Sequence, residues 1–464
     1  MIALALRNLW RNQRRSSTTL LAMMIGMLSI LLFGGYSRTV YYGLETDFVG
    51  RSGHLQLQRK DYFWFGSGDP QGYSLHGYKQ LVNDIQQDPV LAPLLRVVTP
   101  VLQFGGIAGN FDAGLSKLVI VQGVDVTAQN EMRRWNDYQL AITPELHSMN
   151  PAAGNEAEIG IGVARMLQLC AQLDVPDCPQ PQLSAIDPNT QTLAADIAAL
   201  AAGQLPSEPA TPAKSGAQLE LLAASTGGAP NVNRLQINRA VTTGAKELDE
   251  VYLAMQLAQA QQLLYGESEE RVTALQIQLY HSADLEVART RLQELISNRW
   301  PEQPLEVHDF RTLNPAFGQI TGMFAAIFGF ITILISAIVL FTVGNTMSMA
   351  VLERTVEIGT LRTLGLRRSG IRRLFISEGL LLGLTGALLG TALALLFAAL
   401  INQAGFTWLP PGNSNPVPIT IRLWGEHQML LGIGLTVVLV ATVSAWWPAR
   451  RAAQQDVVDA LRYV

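Results

Sequence analysis

Charged residues are scarce in this 464-residue chain and are absent from long stretches of it. Only 15% of the residues are Asp, Glu, Lys or Arg, whereas 48% are hydrophobic. Residues 312–352 and 379–421 contain no charged side chain, and residues 18–37 are also uncharged. Uncharged apolar stretches of this length are typical of membrane-spanning helices. The sequence therefore predicts a protein that lies partly in a membrane.

Signatures of catalytic and nucleotide-binding sites are also missing. No GxxxxGK[ST] motif occurs, so the chain has no phosphate-binding loop of its own, and neither GxSxG nor HExxH is present. The six histidines are scattered and form no Cys/His cluster with the spacing of metal ligands. We predict no catalytic residue, no metal site and no cofactor on this chain, and we expect no nucleic-acid partner.

Cysteine is rare, with two residues, Cys170 and Cys178. In an oxidising compartment a pair this close in sequence can form a small-loop disulfide, and two free thiols are the alternative. We favour the disulfide.

Lysine is absent from residues 344–378, a charged segment that lies between two apolar runs. The chain leaves the membrane before this segment and enters it again after the segment, from the same side. An excess of arginine in a short loop indicates that this side is the cytoplasm. It is therefore predicted to be a cytoplasmic link between two spans. Its arginines are Arg354, Arg362, Arg367, Arg368, Arg372 and Arg373.

The link itself is predicted to be helical. Glu353 and Glu357 share one helical face, and Gly365 is placed to end the helix. Ser369 is a candidate cap for a second helix that enters the membrane at Leu374. Glu378 is expected in the headgroup layer with Arg373, the alternative being a functional acid inside the membrane. From charge alone, the link is equally compatible with an interfacial anchor and with a docking site.

The first apolar run follows a basic start. Residues 1–17 are predicted to form an amphipathic helix on the inner membrane surface, with its arginines along one face. A signal peptide is the competing interpretation, but no small-x-small cleavage site follows the run. We therefore expect an uncleaved first span, with the amino terminus inside. The arginines of this segment are Arg7, Arg11, Arg14 and Arg15.

Four spans follow from the apolar runs. Residues 312–352 would measure about 60 Å as one helix, twice the thickness of a hydrocarbon core, so the second span is predicted to include a stalk. Small residues three to four positions apart in the third span allow close helix contact. The predicted segments are transmembrane helices at 18–38, 316–346, 374–400 and 427–447, the link at 347–373, an outer loop at 403–426 and a cytoplasmic tail at 448–464. The small residues of the third span are Gly379, Gly383, Gly386 and Gly390.

A soluble domain is predicted at residues 43–314. Short alternating apolar runs indicate strands, for example residues 54–58, 117–123, 218–222, 234–238 and 273–280. Ser282 is expected to cap a helix with its apolar face at Leu285, Ala288, Leu292, Leu295 and Ile296, followed by a strand at 305–310. Strand, helix and strand make a βαβ unit, so an α/β domain is expected. Residues 173–216 form a Pro/Ala-rich excursion, predicted as a surface insertion with a helix at 190–203 and, alternatively, as a partner-docking arm.

Residues 353–390 read ERTVEIGTLRTLGLRRSGIRRLFISEGLLLGLTGALLG. This segment resembles the corresponding segment of ABC-transporter permeases of the FtsX/MacB/LolC-LolE type. In that family the helix after the second span is the coupling helix, which contacts the ATPase subunit. The resemblance implies that the contact is made here by Glu353, Arg354, Glu357, Gly359, Leu361, Arg362, Leu364 and Gly365.

Other segments resemble the same family more weakly. Residues 119–125, 158–169 and 241–264 are similar to the domain between spans one and two of LolC-LolE-type permeases. The tail PARRAAQQDVVDALRYV is similar to the closing pattern of the family, although Val457 stands where proline is usual. The implied fold class is an α-helical membrane protein with four transmembrane helices and a large α/β extracytoplasmic domain between the first and second helices.

The resemblance also implies a function. A non-catalytic permease in a bacterial inner membrane, with both termini cytoplasmic and the large domain periplasmic, would use ATP and Mg²⁺ bound to a separate ATPase. Two permeases face two ATPases in this family, so a second copy or a sister permease is expected. Movement passed through the membrane would release lipoproteins to a periplasmic carrier.

Three other functions remain open at this point. The chain is alternatively an FtsX-like regulator of a periplasmic hydrolase, or an exporter of a peptide or amphiphile. A receptor or scaffold outside the ABC class is the remaining alternative, and such a protein should bind no ATPase.

Overall fold

The architecture comes from a computed structural model. It describes residues 13–66, 68–178, 216–225, 228–266, 270–410, 413 and 415–455, with Ala5, Arg7 and Arg11. Most of the predicted amino-terminal helix and most of the Pro/Ala-rich excursion, including its predicted helix, lie outside these residues.

The helices and strands are numbered here in chain order. The helices are α1 Gln13–Ser52, α2 Tyr62–Phe65, α3 Tyr78–Gln86, α4 Val126–Arg133, α5 Ile161–Met166, α6 Cys170–Leu173, α7 Lys246–Asp249, α8 Leu257–Tyr265, α9 Leu285–Arg299, α10 Phe310–Leu313, α11 Pro315–Glu353, α12 Thr355–Thr363, α13 Arg368–Ala404 and α14 His427–Gln454. The strands are β1 Leu55–Arg59, β2 Leu95–Asn110, β3 Leu115–Val124, β4 Glu156–Gly160, β5 Gln218–Ala224, β6 Pro230–Val241, β7 Tyr252–Gln256, β8 Ala274–Leu279, β9 Leu305–Asp309, β10 Thr407–Trp408 and β11 Val417–Pro418.

The chain forms two compact units. Unit 1 consists of residues 1–45, 315–408 and 417–464, and unit 2 of residues 46–314 and 409–416. The first boundary falls within α1, which continues to Ser52.

Unit 1 is built from long apolar helices. Helices α1 (from Ser16), α11, α13 and α14 are each long and apolar enough to cross a membrane, in agreement with the four predicted apolar spans. With 39 residues, α11 is about 58 Å long, against about 30 Å for a hydrocarbon core.

Helix α13 begins at Arg368, before the predicted membrane entry at Leu374. The prediction that Ser369 caps this helix is wrong, because Arg367 occupies the N-cap position.

Small residues bring the helices of unit 1 close together. A Cβ atom placed on Gly379 would lie 2.5 Å from the Cβ of Ala445 in α14, and one on Gly390 would lie 2.6 Å from the Cβ of Met27 in α1. A side chain at either position would therefore force the neighbouring helix to shift. The glycines noted in the sequence therefore allow α13 to pack closely against α14 near its start and against α1 further along.

Unit 2 contains a nine-stranded sheet. The strand order is β3-β7-β4-β6-β5-β2-β8-β1-β9, and β2 pairs additionally with β3. Strands β2, β3, β7, β4, β6 and β5 consequently form a closed ring, from which β8, β1 and β9 extend as an open sheet. One face of the ring buries an apolar core that includes Phe104, Val121, Ile159, Leu221 and Leu253.

The open sheet contains the strand, helix and strand predicted near residue 282. β8 and β9 both pair antiparallel with β1, which lies between them, so the unit is a split version of the predicted βαβ arrangement. Helix α9 buries the apolar face that was expected, Leu285, Ala288, Leu292, Leu295 and Ile296. The prediction that Ser282 caps this helix is wrong: Asp284 is the N-cap residue, and Ser282 Oγ lies 3.1 Å from His54 Nε2.

Cys170 and Cys178 form a disulfide in unit 2. Cys170 is buried beside the apolar residues of α5 and α6. The bond therefore fixes the described chain that follows α6 to the core of this unit.

Candidate functional site

The segment between α11 and α13 is the candidate site, and two backbone features define its short helix α12. Arg354 leaves helical geometry at φ −103° and ψ 20°, which separates α11 from α12. At the other end Gly365 adopts φ +92°, a conformation that favours glycine. The amides of Gly365 and Leu366 donate to the carbonyls of Arg362 and Leu361, at 3.0 Å each, which is a Schellman motif. The prediction that Gly365 ends this helix is therefore confirmed.

A buried ion pair holds the start of α12 to α13. Arg354 Nη1 donates to Glu378 Oε1 at 2.9 Å, and the two side chains are only 7% and 2% exposed. Removing one partner of such a pair leaves a charge without compensation in a poorly solvated place. The expected association of Glu378 with Arg373 is wrong, because Glu378 is buried against Arg354 while Arg373 is exposed.

Two further contacts tie α12 to distant parts of unit 1. Arg11, before α1, forms an ion pair with Glu357. Arg362 donates to the main-chain carbonyl of Gln455, immediately after α14. The helix therefore contacts three different segments of the chain, two of them near its beginning and one near its end.

The eight residues assigned to the coupling contact fall into three groups. Arg354 and Gly359 are buried, so they support the fold of the link and do not form its surface. Leu361 and Arg362 are half-buried. Glu353, Glu357, Leu364 and Gly365 are exposed, and Leu364 is the most open of the apolar side chains here at 80%.

Sequence reasoning missed two apolar residues of this surface. Val356 is 47% exposed and Leu352 is 53% exposed, beside the acidic residues Glu353 and Glu357. Val356 lies between buried Thr355 and Ile358 in sequence, so its exposure depends on which side of α12 is packed. The exposure of Leu352 and Val356 became apparent only once the packed side of α12 was known. The surface defined by Leu352, Glu353, Val356, Glu357 and Leu364 is called the link surface below.

Unit 2 contains buried polar groups, but they are arranged for structure. Glu158 is fully buried and accepts from the Ser148 amide at 2.6 Å, the Ser148 hydroxyl at 2.7 Å and His147 Nδ1 at 2.7 Å. Burial opposes the ionisation of Glu158, but these donors outweigh it and hold the pKa of Glu158 at about 2. Burial lowers the pKa of His147. Within the described residues, no group of three or more His, Cys, Asp or Glu side chains is placed to hold a metal ion.

The structure thus defines a class of protein: four membrane-length apolar helices, a short helix fixed between two of them with a mixed apolar and acidic surface, and a separate sheet-rich unit. This organisation fits a membrane permease with a large additional domain.

Comparison with known proteins shows a partial similarity to membrane permeases. Residues 326–457 match the model of the FtsX-like permease C-terminal domain, which covers the link and the helices on both sides of it. The chain is 30% identical over 158 residues to the lipoprotein-releasing system transmembrane protein LolC of Haemophilus influenzae. It is 26% identical over 190 residues to the macrolide export ATP-binding/permease protein MacB of Escherichia coli, and 25% identical over 207 residues to an uncharacterised ABC transporter permease of Methanocaldococcus jannaschii. The carboxy-terminal part of the chain is therefore similar to permeases of the FtsX/MacB/LolC type.

These similarities are partial. The matched region is 34% of this chain and 39% of LolC, 41% of this chain and 28% of MacB, and 43% of this chain and 48% of the archaeal permease. The chain therefore matches less than half the length of each of these relatives.

Proposed function

We propose that this chain is the permease subunit of an ABC transporter and that ATP and Mg²⁺ are bound by a separate ATPase subunit. The observation that carries the proposal is the link surface: a short helix, fixed at three points, that exposes Val356 and Leu364 beside Glu353 and Glu357 within the FtsX-like domain. Exposed apolar side chains of this size, surrounded by charge, are typical of a protein-binding site.

The proposed orientation puts the link surface and both termini in the cytoplasm of a bacterial cell, with unit 2 in the periplasm. Arg367, Arg368, Arg372 and Arg373 are all exposed at the start of α13, which supports a cytoplasmic link by the excess of arginine on that side. The disulfide between Cys170 and Cys178 suits an oxidising periplasm, because disulfides rarely persist in a reducing cytoplasm.

In this proposal the permease works by transmitting movement. ATP-driven closure of the ATPase subunits would displace α12, which is held to α13 by Arg354 and Glu378 and continues from α11. Helices α11 and α13, at 39 and 37 residues, are each long enough to carry that displacement across the bilayer. Two ATPases would require two permeases, a second copy of this chain or a sister subunit.

The work that we propose is release of lipoproteins from the inner membrane to a periplasmic carrier, supported by the similarity to LolC. The similarity to MacB, named for macrolide export, supports export of a small amphiphile as a second candidate. Regulation of a periplasmic hydrolase is the third outcome that the experiments below distinguish.

ATPase binding is tested first, by co-purification of the full-length chain with the ATPase subunit in detergent. Val356→Arg and Leu364→Arg should each reduce the recovered ATPase at least about tenfold, because a charge replaces an apolar contact in the docking surface. Leu118→Arg is the matched control, since Leu118 is a 68% exposed leucine in unit 2, and this variant should retain the ATPase. Recovery of no ATPase by the unmodified chain would overturn the proposal.

The cargo is tested in vesicles that contain the assembled complex and a lipid-anchored protein. ATP should release the anchored protein to a soluble acceptor, and Leu364→Arg should abolish release. ATP hydrolysis without release would remove lipoprotein release from the proposal. Transport of a macrolide would then identify an exporter, and a bound hydrolase would identify a regulator.

A further inference from the structure

Helices α13 and α14 leave an apolar cleft between them at one end of unit 1. The cleft has a volume of about 390 Å³ and is lined by Ile376 of α13 and by Thr442, Val443 and Trp446 of α14. The two helices run antiparallel, because Gly379 packs on Ala445 whereas Gly383 packs on Ala441. The cleft therefore lies near the first turns of α13 and the last turns of α14, at the end of unit 1 that carries the link.

Arginines border the cleft on both helices. Arg372 and Arg373 precede Ile376 by four and three residues, so they share its face of α13. Arg450 follows Trp446 by four residues, and its guanidinium carbon lies 5.8 Å from the centroid of the Trp446 ring. Since the helices are antiparallel, all three arginines lie beyond the same end of the cleft, about one helical turn from its lining residues.

These three arginines are available for an anionic ligand. Arg372, Arg373 and Arg450 are exposed, and none of them forms an ion pair within the described part of the chain. The neighbouring carboxylate, Glu378, is already buried against Arg354.

We propose that this cleft is a binding site for one anionic phospholipid of the leaflet nearest the link. The acyl chain lies against Ile376, Val443 and Trp446, and the phosphate is held between the arginines of α13 and the arginine of α14. Guanidinium groups bind phosphate oxygens in pairs, and tryptophan is favoured at the depth where acyl chains meet headgroups. A soluble phosphate would satisfy the arginines but would leave the apolar cleft unfilled, so the combination selects a lipid.

This inference is independent of the proposed transport function, because it requires only that unit 1 lies in a membrane. Its partner is a component of that membrane and is recognised without any ATPase.

The experiment uses the full-length chain in mixed micelles of phosphatidylcholine, with phosphatidylglycerol carrying brominated acyl chains as the titrated probe. Bromine quenches tryptophan at short range, and the difference between the unmodified chain and Trp446→Phe isolates the signal of Trp446. We expect saturable quenching with about tenfold higher affinity for brominated phosphatidylglycerol than for brominated phosphatidylcholine, from the attraction of two or three arginines.

Paired variants separate this site from general surface charge. Arg373→Gln with Arg450→Gln should remove the preference for phosphatidylglycerol, and Lys at both positions should restore part of it. Arg367→Gln with Arg368→Gln is the matched control, because it removes the same charge from the same end of α13 but eight or more residues from Ile376. Thr442→Phe should reduce quenching by both lipids, since it fills the cleft.

Three results would overturn the proposal. These are equal affinity for the two lipids, an equal loss of preference in the control pair, and displacement of the brominated lipid by millimolar inorganic phosphate. The first would leave a non-selective apolar surface, the second a diffuse positive surface, and the third a site for soluble phosphate.

Discussion

At the scale of single residues, Arg354 and Glu378 are the most consequential pair in unit 1. Both are nearly inaccessible, and they join the break between α11 and α12 to α13 about three turns after its start. Breaking a buried pair by removing one partner is strongly unfavourable, whereas replacing both partners by uncharged groups of similar size is often tolerated.

Arg354→Met alone should therefore lower the free energy of unfolding of the full-length protein by about 3–5 kcal/mol, because Glu378 is left buried without its cation. The double variant Arg354→Met with Glu378→Gln should recover most of this loss. Thermal unfolding in detergent provides the measurement. A loss in the double variant equal to the sum of the losses in Arg354→Met and Glu378→Gln would contradict an interaction between the side chains.

His54 is the residue for which we expect the clearest pH dependence in unit 2. It is fully buried, its Nδ1 accepts from the Leu279 amide at 3.0 Å, and its ring contacts Trp135 at a centroid distance of 4.9 Å. Burial lowers the pKa of His54 to about 3, so the folded protein keeps it neutral. An unfolded histidine has a pKa of about 6.5 and binds a proton first.

The stability contributed by neutral His54 is therefore complete above about pH 6.5 and is lost as the pH falls towards 3, by up to about 1.4 kcal/mol per pH unit. His54→Asn should flatten this dependence, because its Oδ1 can accept from Leu279 but does not titrate. Urea unfolding of the full-length protein between pH 7 and 4.5 tests the prediction. His147, whose pKa is also lowered by burial, should account for the slope that remains in the variant.

At the scale of elements, α13 packs closely on α14 because Gly379 has only a hydrogen atom where other residues have a side chain. Gly379→Leu should destabilise unit 1 by about 1–3 kcal/mol, since the nearest Ala445 atom would be only 2.5 Å from the new Cβ. Gly432→Leu, in the neighbouring helix α14, is the matched control because no atom lies within 4 Å of its Cβ position. Thermal unfolding of both variants in detergent compares them, and similar losses would contradict close helix contact as the cause.

Helices and strands are predicted well from the sequence where apolar residues continue through a whole helix or alternate along a strand. The four helices of membrane-spanning length appear as uncharged runs, and strands β1, β3, β5, β6 and β8 appear as short apolar or alternating runs. The longest strand, β2, was missed because Pro100 and the glycines at 105, 106 and 109 read as turn residues. β2 tolerates them because it pairs with three different strands along its 16 residues, a tertiary arrangement that no local pattern reports.

The local structure of the candidate site was predictable from the sequence, but its long-range contacts were not. The helix of the link and its end at Gly365 follow from local chemistry, since glycine is favoured at the φ of +92° found there. The contacts from Arg11 to Glu357 and from Arg354 to Glu378 join residues 346 and 24 positions apart. Partners at such separations are chosen by the packing of whole helices, so charge counting assigned Glu378 to the wrong arginine.

At the scale of the whole molecule, the proposed topology can be tested with few changes, because the only two cysteines are joined to each other. In intact cells, Leu364→Cys should be protected from a membrane-impermeant maleimide, and Trp64→Cys should react with it, since both positions are exposed but are proposed to lie on opposite sides of the membrane. The unmodified chain should not react until it is reduced. Labelling of Leu364→Cys from outside would overturn the cytoplasmic position of the link.

The burial of Glu378 has a consequence for how the protein is made. The ribosome delivers Arg354 to the insertion machinery 24 residues before Glu378. An isolated carboxylate is poorly accepted by lipid. We therefore expect α13 to insert favourably only when Arg354, which precedes it in the chain, is present to pair with Glu378. The second and third spans are therefore expected to insert together as a hairpin, and a chain that lacks this arginine should insert less efficiently.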